Sequence, residues 1–230
     1  MKKIPTMFER EFRNHKVTEI KPVCTSEATL YALLHGQATV KVDGSCCAIL
    51  NGVFYKRYDA KKGRKAPEGA IPCCEADLVT GHHPHWVKVD FNNPDDKWFA
   101  RAYRNYPEKW IRDGTYEAVG PHFNGNPYGL QQDVLILHGS QVVFDYERSF
   151  DGIRKYLEDN PVEGLVFWVN DEPVCKIKRT DFGLPWPPVE DEWSWDAEMT
   201  QLLADPVKTG DLVAQMLGLR VENYGGTHAE

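Results

Sequence analysis

Cys46-Cys47-Ala48-Ile49-Leu50, Asn51-Gly52 and Val53-Phe54-Tyr55-Lys56-Arg57-Tyr58 follow one another without interruption: two apolar-rich runs joined by the dipeptide that best supports a type I′ turn. This stretch predicts an antiparallel hairpin. Working outward, Val134 to His138 and Gln141 to Phe144 flank Gly139-Ser140, which predicts a second hairpin with a type II′ turn. A third should join Leu165-Val166-Phe167-Trp168-Val169 to Val174-Cys175-Lys176-Ile177-Lys178 across residues 170 to 173. Helical signals are sparser: Ser149 can cap a short helix through about Glu158, and Ala197 to Leu203 and Asp211 to Leu217 read as two more. Strand hairpins with a few helices define an α+β domain. Pro185, Pro187 and Pro188 mark a break, so residues 1–188 are expected to form the domain and 189–230 a short, acidic, mainly helical tail.

The chain of 230 residues can bury a full core, and two complete domains would be cramped in it. No run of 18 apolar residues could cross a bilayer, and the start, Met1 to Thr6, lacks the apolar stretch of a secretion signal, so the cytoplasm is the expected compartment. No membrane and no obligate protein partner are implied. The six cysteines include the adjacent pairs Cys46-Cys47 and Cys73-Cys74 but no CxxC spacing, which argues for small buried thiols and against a zinc ribbon. His82-His83-Pro84-His85 lacks partnering cysteines and is not read as a metal site. A formal charge of -7 does not favour indiscriminate nucleic-acid binding. Charge is unevenly placed, however. Lys56, Arg57, Lys61, Lys62, Arg64 and Lys65 face a single Asp59, whereas Glu190, Asp191, Glu192, Asp196 and Glu198 gather near the other end.

Four short elements carry chemistry. Thr39-Val40-Lys41-Val42-Asp43-Gly44 reads as a strand whose alternation puts Thr39 and Lys41 on one face, Val40 and Val42 in the core, and Gly44 at the turn. Glu163-Gly164-Leu165-Val166-Phe167 and Cys175-Lys176-Ile177-Lys178 form paired strands, with Lys176 and Lys178 side by side on one face. Two adjacent lysines in an otherwise apolar hairpin suit a phosphate. Thr115-Tyr116-Glu117-Ala118-Val119-Gly120 presents one carboxylate among apolar neighbours. Each motif alone also fits an ordinary solvated surface; their order and spacing together are specific.

At these residues the chain resembles the covalent nucleotidyltransferases, the superfamily of ATP-dependent ligases and mRNA capping enzymes. Within it, KVDGSCC (41–47), NGNPYGL (124–130), ILHG (136–139), VEGLVFW (162–168) and GLPWP (183–187) are similar to the 5′-to-3′ RNA ligases of vertebrates and some bacteria and phages. The resemblance covers roughly residues 35–188. It implies two antiparallel sheets enclosing a nucleotide groove, an adenylyltransferase or ATP-grasp-like ligase domain. It further implies an ATP-dependent RNA ligase that joins a 5′-phosphate to a 3′-hydroxyl. Lys41 matches the nucleophile that carries AMP, with Lys176 and Lys178 as the catalytic pair on the α-phosphate. Val42, Arg57, Glu117 and Glu163 complete the nucleotide-binding set, and Asp43, Glu117 and Glu163 match the carboxylates that organise Mg²⁺ or Mn²⁺.

Elementary chemistry agrees with these roles. Lysine titrates near pH 10.4 in water, so presenting it as a neutral amine at pH 7.4 costs roughly 4 kcal/mol. Neighbouring cations lower that cost, and carboxylates supply the hard oxygens that Mg²⁺ prefers. Lys56, Lys61, Lys62, Arg64 and Lys65 become the expected RNA contacts, and Phe144 or Phe167 the ring on which adenine stacks. The 52 residues after Lys178 are too few for the OB domain of DNA ligases and capping enzymes, which weakens both as alternatives. A non-catalytic nucleic-acid-binding protein on a ligase fold is the remaining alternative. It would have no use for Lys41 set among metal-binding carboxylates.

Overall fold

A computed structural model describes residues 3–188, apart from 15, 61, 62 and 79. The expected tail, with its two helices and its acidic cluster, lies outside the described residues, as do Lys61 and Lys62. The strands are β1 (Phe8–Arg13), β2 (Lys16–Cys24), β3 (Gln37–Lys41), β4 (Ser45–Leu50), β5 (Val53–Ala60), β6 (Ile71–Pro72), β7 (His83–Lys88), β8 (Gly114–Val119), β9 (Val134–Leu137), β10 (Val142–Val143), β11 (Gly164–Val169) and β12 (Glu172–Lys178). The α-helices are α1 (Glu27–His35), α2 (Lys97–Asn105) and α3 (Phe150–Asp159). All strand pairs are antiparallel. They form a six-stranded sheet of order β6-β7-β5-β4-β8-β9, a four-stranded sheet of order β10-β3-β11-β12 and a β1-β2 ribbon, an α+β architecture.

The first hairpin forms as its dipeptide requires. Asn51 and Gly52 take φ values of 50° and 73°, the left-handed pair of a type I′ turn, and both amides donate to the Asp113 carboxylate. The third hairpin is tighter than expected. Asn170 and Asp171, at φ 50° and 62°, make a two-residue turn, and Pro173 falls inside β12, on a sheet edge where the missing amide is tolerated.

The second expected hairpin does not form. β9 pairs with β8 and β10 pairs with β3, so Gly139-Ser140 carries the chain from the six-stranded sheet to the four-stranded one. Gly139 turns at φ 79° close to the Trp168 ring, where a Cβ would stand 3.4 Å from the indole. The turn differs from the expected type II′ as well: it is closed by Ser140 N donating to Leu137 O, which puts Gly139 at its second central position, and the partner strands are chosen by the cores beneath them.

Each sheet buries its outer face. Leu165, Phe167, Cys175 and Ile177 pack with Ala32 and Leu33 of α1 and Ile153 and Leu157 of α3, all nearly inaccessible. Cys47, Ile49, Phe54, Tyr116 and Leu135 pack with Ala100 and Ala102 of α2. Burying one such large side chain stabilises by about 1.5–3 kcal/mol. A third, smaller cluster of Val42, Val119, Tyr128, Leu130 and Ile136 fills the junction between the sheets. Ser149 caps α3 as expected, whereas α1 and α2 were not anticipated. The α1 cap is Ser26, whose hydroxyl accepts from the Thr29 amide while the Thr29 hydroxyl accepts from the Ser26 amide, a capping box built on Thr where Glu or Gln is usual.

Candidate active site

With both outer faces buried, the inner faces enclose a cavity of about 490 Å³, within the usual range for small-molecule sites. Register decides what reaches it. Gly164 of β11 pairs with Lys41 on one side and Lys178 on the other, and Val166 pairs with Thr39 and Lys176. Directly paired residues point the same way. Lys41, Lys176 and Lys178 therefore rise from one face, and Gly164 leaves the gap between two of them. A Cβ there would lie 2.1 Å from the Ile177 carbonyl oxygen, so only glycine fits.

Glu163 occupies that position in the charge network. It is 5% exposed; its Oε2 accepts from Lys41 Nζ at 2.5 Å and its Oε1 from Lys178 Nζ at 2.7 Å. Lys176 lines the cavity beside them, and its pKa is lowered to about 8, by burial first and then by the Lys41 and Lys178 charges, against the pull of Glu163.

The opposite wall comes from the six-stranded sheet. Arg57, Glu117 and His138 line the cavity. Arg57 donates to Asp59 at 2.8 Å. Thr115 and His138 contact through Nδ1 at 2.8 Å, and His138 Nε2 lies 3.3 Å from Glu117 Oε1. A neutral imidazole that accepts from the Thr115 hydroxyl and donates to Glu117 satisfies both contacts. Glu117 Oε2 is buried without a hydrogen-bond partner among the described residues. An orphaned carboxylate oxygen at a cavity wall fits a cation or a ligand hydroxyl. Cys46 lies on this face, and burial pushes its thiol up to about 12, while Cys47 points into the opposite core.

Asp43 stands outside the cavity lining. Its Oδ1 accepts from Asn124 Nδ2 at 2.9 Å and its Oδ2 from Trp186 Nε1 at 2.8 Å, while its amide donates to the Tyr128 hydroxyl at 2.6 Å. The NGNPYGL and GLPWP segments thus fasten the end of the Lys41 strand. Val42, at 5% exposure, packs into the junction cluster and borders the cavity. Of the carboxylates expected to hold metal, Asp43 and Glu163 have both oxygens engaged by protein donors, and Glu117 alone offers a free one.

Two expectations are corrected by strand alternation. Phe167 is fully buried in the core and Phe144 is 59% exposed, and neither lines the cavity. The aromatic wall is Trp168, two residues beyond Val166 on the groove face, its Nε1 donating to Thr39 Oγ1 at 2.8 Å. The alternation that buries Leu165 and Phe167 was the signal for it. Lys56 points away from Arg57, its neighbour, and is ion-paired with the buried Asp96 at the start of α2. Arg64 and Lys65 border a separate cavity of about 380 Å³ with His83 and His85. By the β5–β7 register those histidines share the face of Lys56, not of Arg57. Lys3 was missed altogether. Residues 5–7 lie along β12, with Lys176 N donating to Pro5 O and Met7 N to Lys176 O, which brings Lys3 to the cavity rim.

A family model described as RNA ligase 1 matches residues 102–199, the part that holds Glu117, Glu163, Lys176 and Lys178. Full-length comparison extends the likeness. This chain is similar to proteins named RNA ligase 1. It is 26% identical to RNA ligase 1 of Rattus norvegicus over 78% of this chain and 77% of that protein. Against RNA ligase 1 of Danio rerio it is 26% identical over 80% and 82%, and against that of Pongo abelii 24% over 78% and 77%. Among the described residues, no helix is long and apolar enough to cross a membrane.

Proposed function

We propose that the protein is an ATP-dependent RNA ligase that stores AMP on Lys41 and uses it to join a 5′-phosphate to a 3′-hydroxyl. The observation that carries this reading is the position of Lys41. It lies on the wall of a nucleotide-sized cavity, 2.5 Å from a buried glutamate and beside two further lysines that can hold phosphate.

The three lysines and Glu163 divide the work. Glu163 fixes the Lys41 Nζ and stands within reach of its proton, which must leave before the amine can attack. Lys41 then forms a P–N bond to the α-phosphorus of ATP, and the P–O bond to pyrophosphate breaks. Lys176 and Lys178 offset the charge that builds on the phosphoryl oxygens. Next, the RNA 5′-phosphate displaces Lys41 from phosphorus, and finally the RNA 3′-hydroxyl attacks that activated phosphate and releases AMP. Trp168 gives a face for the base, and Arg57 a donor for ribose or phosphate.

Glu117, with its unpartnered Oε2, is the residue best suited to hold Mg²⁺ or Mn²⁺ here. A bound divalent ion would supply countercharge to the phosphates. Arg64 and Lys65 contribute cations for the RNA backbone away from the cavity.

Incubation with ATP labelled at the α-phosphate, with Lys41→Ala alongside, tests the reading. Label that survives denaturation on the wild type and is absent from the variant is the expected result. No label on either, with Mn²⁺ and GTP also tried, would overturn it.

A further inference from the structure

On the outer side of the six-stranded sheet, α2 exposes a row of cations that the chemistry above does not use. Lys97, Arg101 and Arg104 recur at helical spacing and are exposed, while Ala100 and Ala102 are buried. Between residues 97 and 112 the sequence places Lys97, Arg101, Arg104, Lys109 and Arg112 against Glu108 alone, in a chain whose formal charge is -7.

None of these five cations joins a carboxylate in a salt bridge among the described residues. Four of them rest on rings instead. Lys97 Nζ and the Arg101 guanidinium lie 4.5 and 4.7 Å from the Trp98 ring centre, Arg104 lies 5.4 Å from Phe91, and Lys109 lies 5.1 Å from Trp110. Trp98 is itself held in place by His122, stacked at 3.3 Å and 12°, whose Nδ1 contacts the fully buried Asp133 carboxylate at 2.8 Å.

An ordinary solvated helix face looks different. On α3, Arg154 and Lys155 pair with Glu158 and Asp159 one turn away. The α2 cations are ordered by aromatic contact yet keep their donors free, and ordering them beforehand lowers the entropy lost when an anion binds. From Lys97 to Arg104 the helix rises roughly 10 Å, the axial length of about three phosphates of one strand.

We propose that the outer face of α2, centred on Lys97, Arg101 and Arg104, is a second RNA-binding surface that grips the sugar-phosphate backbone of the substrate away from its reacting ends. The partner class rests on the RNA ligase reading. The surface rests on the free cations and their aromatic supports.

The test uses the full chain and a 24-nucleotide single-stranded RNA with a 5′-hydroxyl and a 3′-phosphate, so that no ligatable end contributes. Affinity is measured by fluorescence anisotropy as a function of salt, for wild type, K97Q/R101Q/R104Q, and R154Q/K155Q as a control on the opposite kind of helix face. The α2 variant should bind roughly 10- to 100-fold more weakly at 0.1 M salt, with a log–log salt slope shallower by about 2, at 0.7 per lost contact. The α3 variant should match wild type, and all three should share one far-UV spectrum and melting temperature within a few degrees. Equal affinity and slope for wild type and the α2 variant would overturn the surface while leaving the RNA reading intact. An equal loss in the α3 variant would overturn it too, by reducing the effect to net charge. A wild type that binds no RNA at any salt would overturn the RNA reading and this surface together.

Discussion

The two walls of the cavity each contribute one buried or half-buried glutamate, and the two are satisfied differently. On the four-stranded wall, Glu163 has a lysine on each oxygen. On the six-stranded wall, Glu117 keeps one oxygen near His138 and leaves the other without a partner. One wall is internally balanced and fixes Lys41, the proposed nucleophile; the other carries an acceptor unmet among the described residues.

The largest expected effect breaks the balanced wall. Glu163→Gln removes the countercharge from Lys41 and Lys178 together, and AMP labelling should fall about 100- to 1000-fold, with a lower melting temperature because two partly buried cations lose their partner. Gel-based labelling and calorimetry on one preparation read both. Retained labelling would show that Glu163 does not position the nucleophile.

Glu117→Gln probes the other wall and should separate stability from activity. Because Oε2 has no partner among the described residues, unfolding free energy should change by less than about 1 kcal/mol. The Mg²⁺ concentration for half-maximal labelling should rise at least several-fold. A large stability loss without a metal effect would make Glu117 structural.

A smaller effect is readable as protons. Lys176 with a pKa near 8 is charged in the folded protein only below that value, whereas in the unfolded chain it is charged up to its ordinary 10.5. Its charge therefore costs stability as pH falls from 10.5 towards 8, and an anion that pairs with it reverses the shift. Nucleotide binding at pH 8 should take up about half a proton, a value calorimetry in buffers of different ionisation enthalpy reports. In Lys176→Met the uptake through this group should vanish.

The smallest lies where the walls meet. Trp186→Phe deletes the donor to Asp43 and should cost about 1.5 kcal/mol in chemical denaturation.

The contrast between the walls also separates what the sequence made legible from what it did not. Strand alternation was enough to put Lys176 beside Lys178 on one face, but it grouped Glu163 with Leu165 and Phe167, which point into the core, and the pairing of β3 with β11 that sets Lys41 beside them was implied by the resemblance alone. Pairing across long separations was not readable. Gly139-Ser140 has the chemistry of a tight hairpin, yet sheet exchange places β9 and β10 on different walls. Lys56 was grouped with Arg57 as part of one basic stretch, although adjacent residues on a strand face opposite ways and Asp96 claims Lys56. α2 escaped notice because its start is an Asn93-Pro94 turn with Asp96, lacking a side-chain cap bond, where a Ser or Thr box would have announced it.

The chain passes between the walls at residues 42–44 and again at 139–140, and Lys41 is the last residue of its strand before the first passage. Tyr128, Asn124 and Trp186 clamp that passage. In mechanical terms Lys41, the proposed nucleophile, is mounted on the hinge pin and not on either door. A nucleotide and an RNA end received in turn, as proposed above, would meet an amine whose mounting belongs to neither wall.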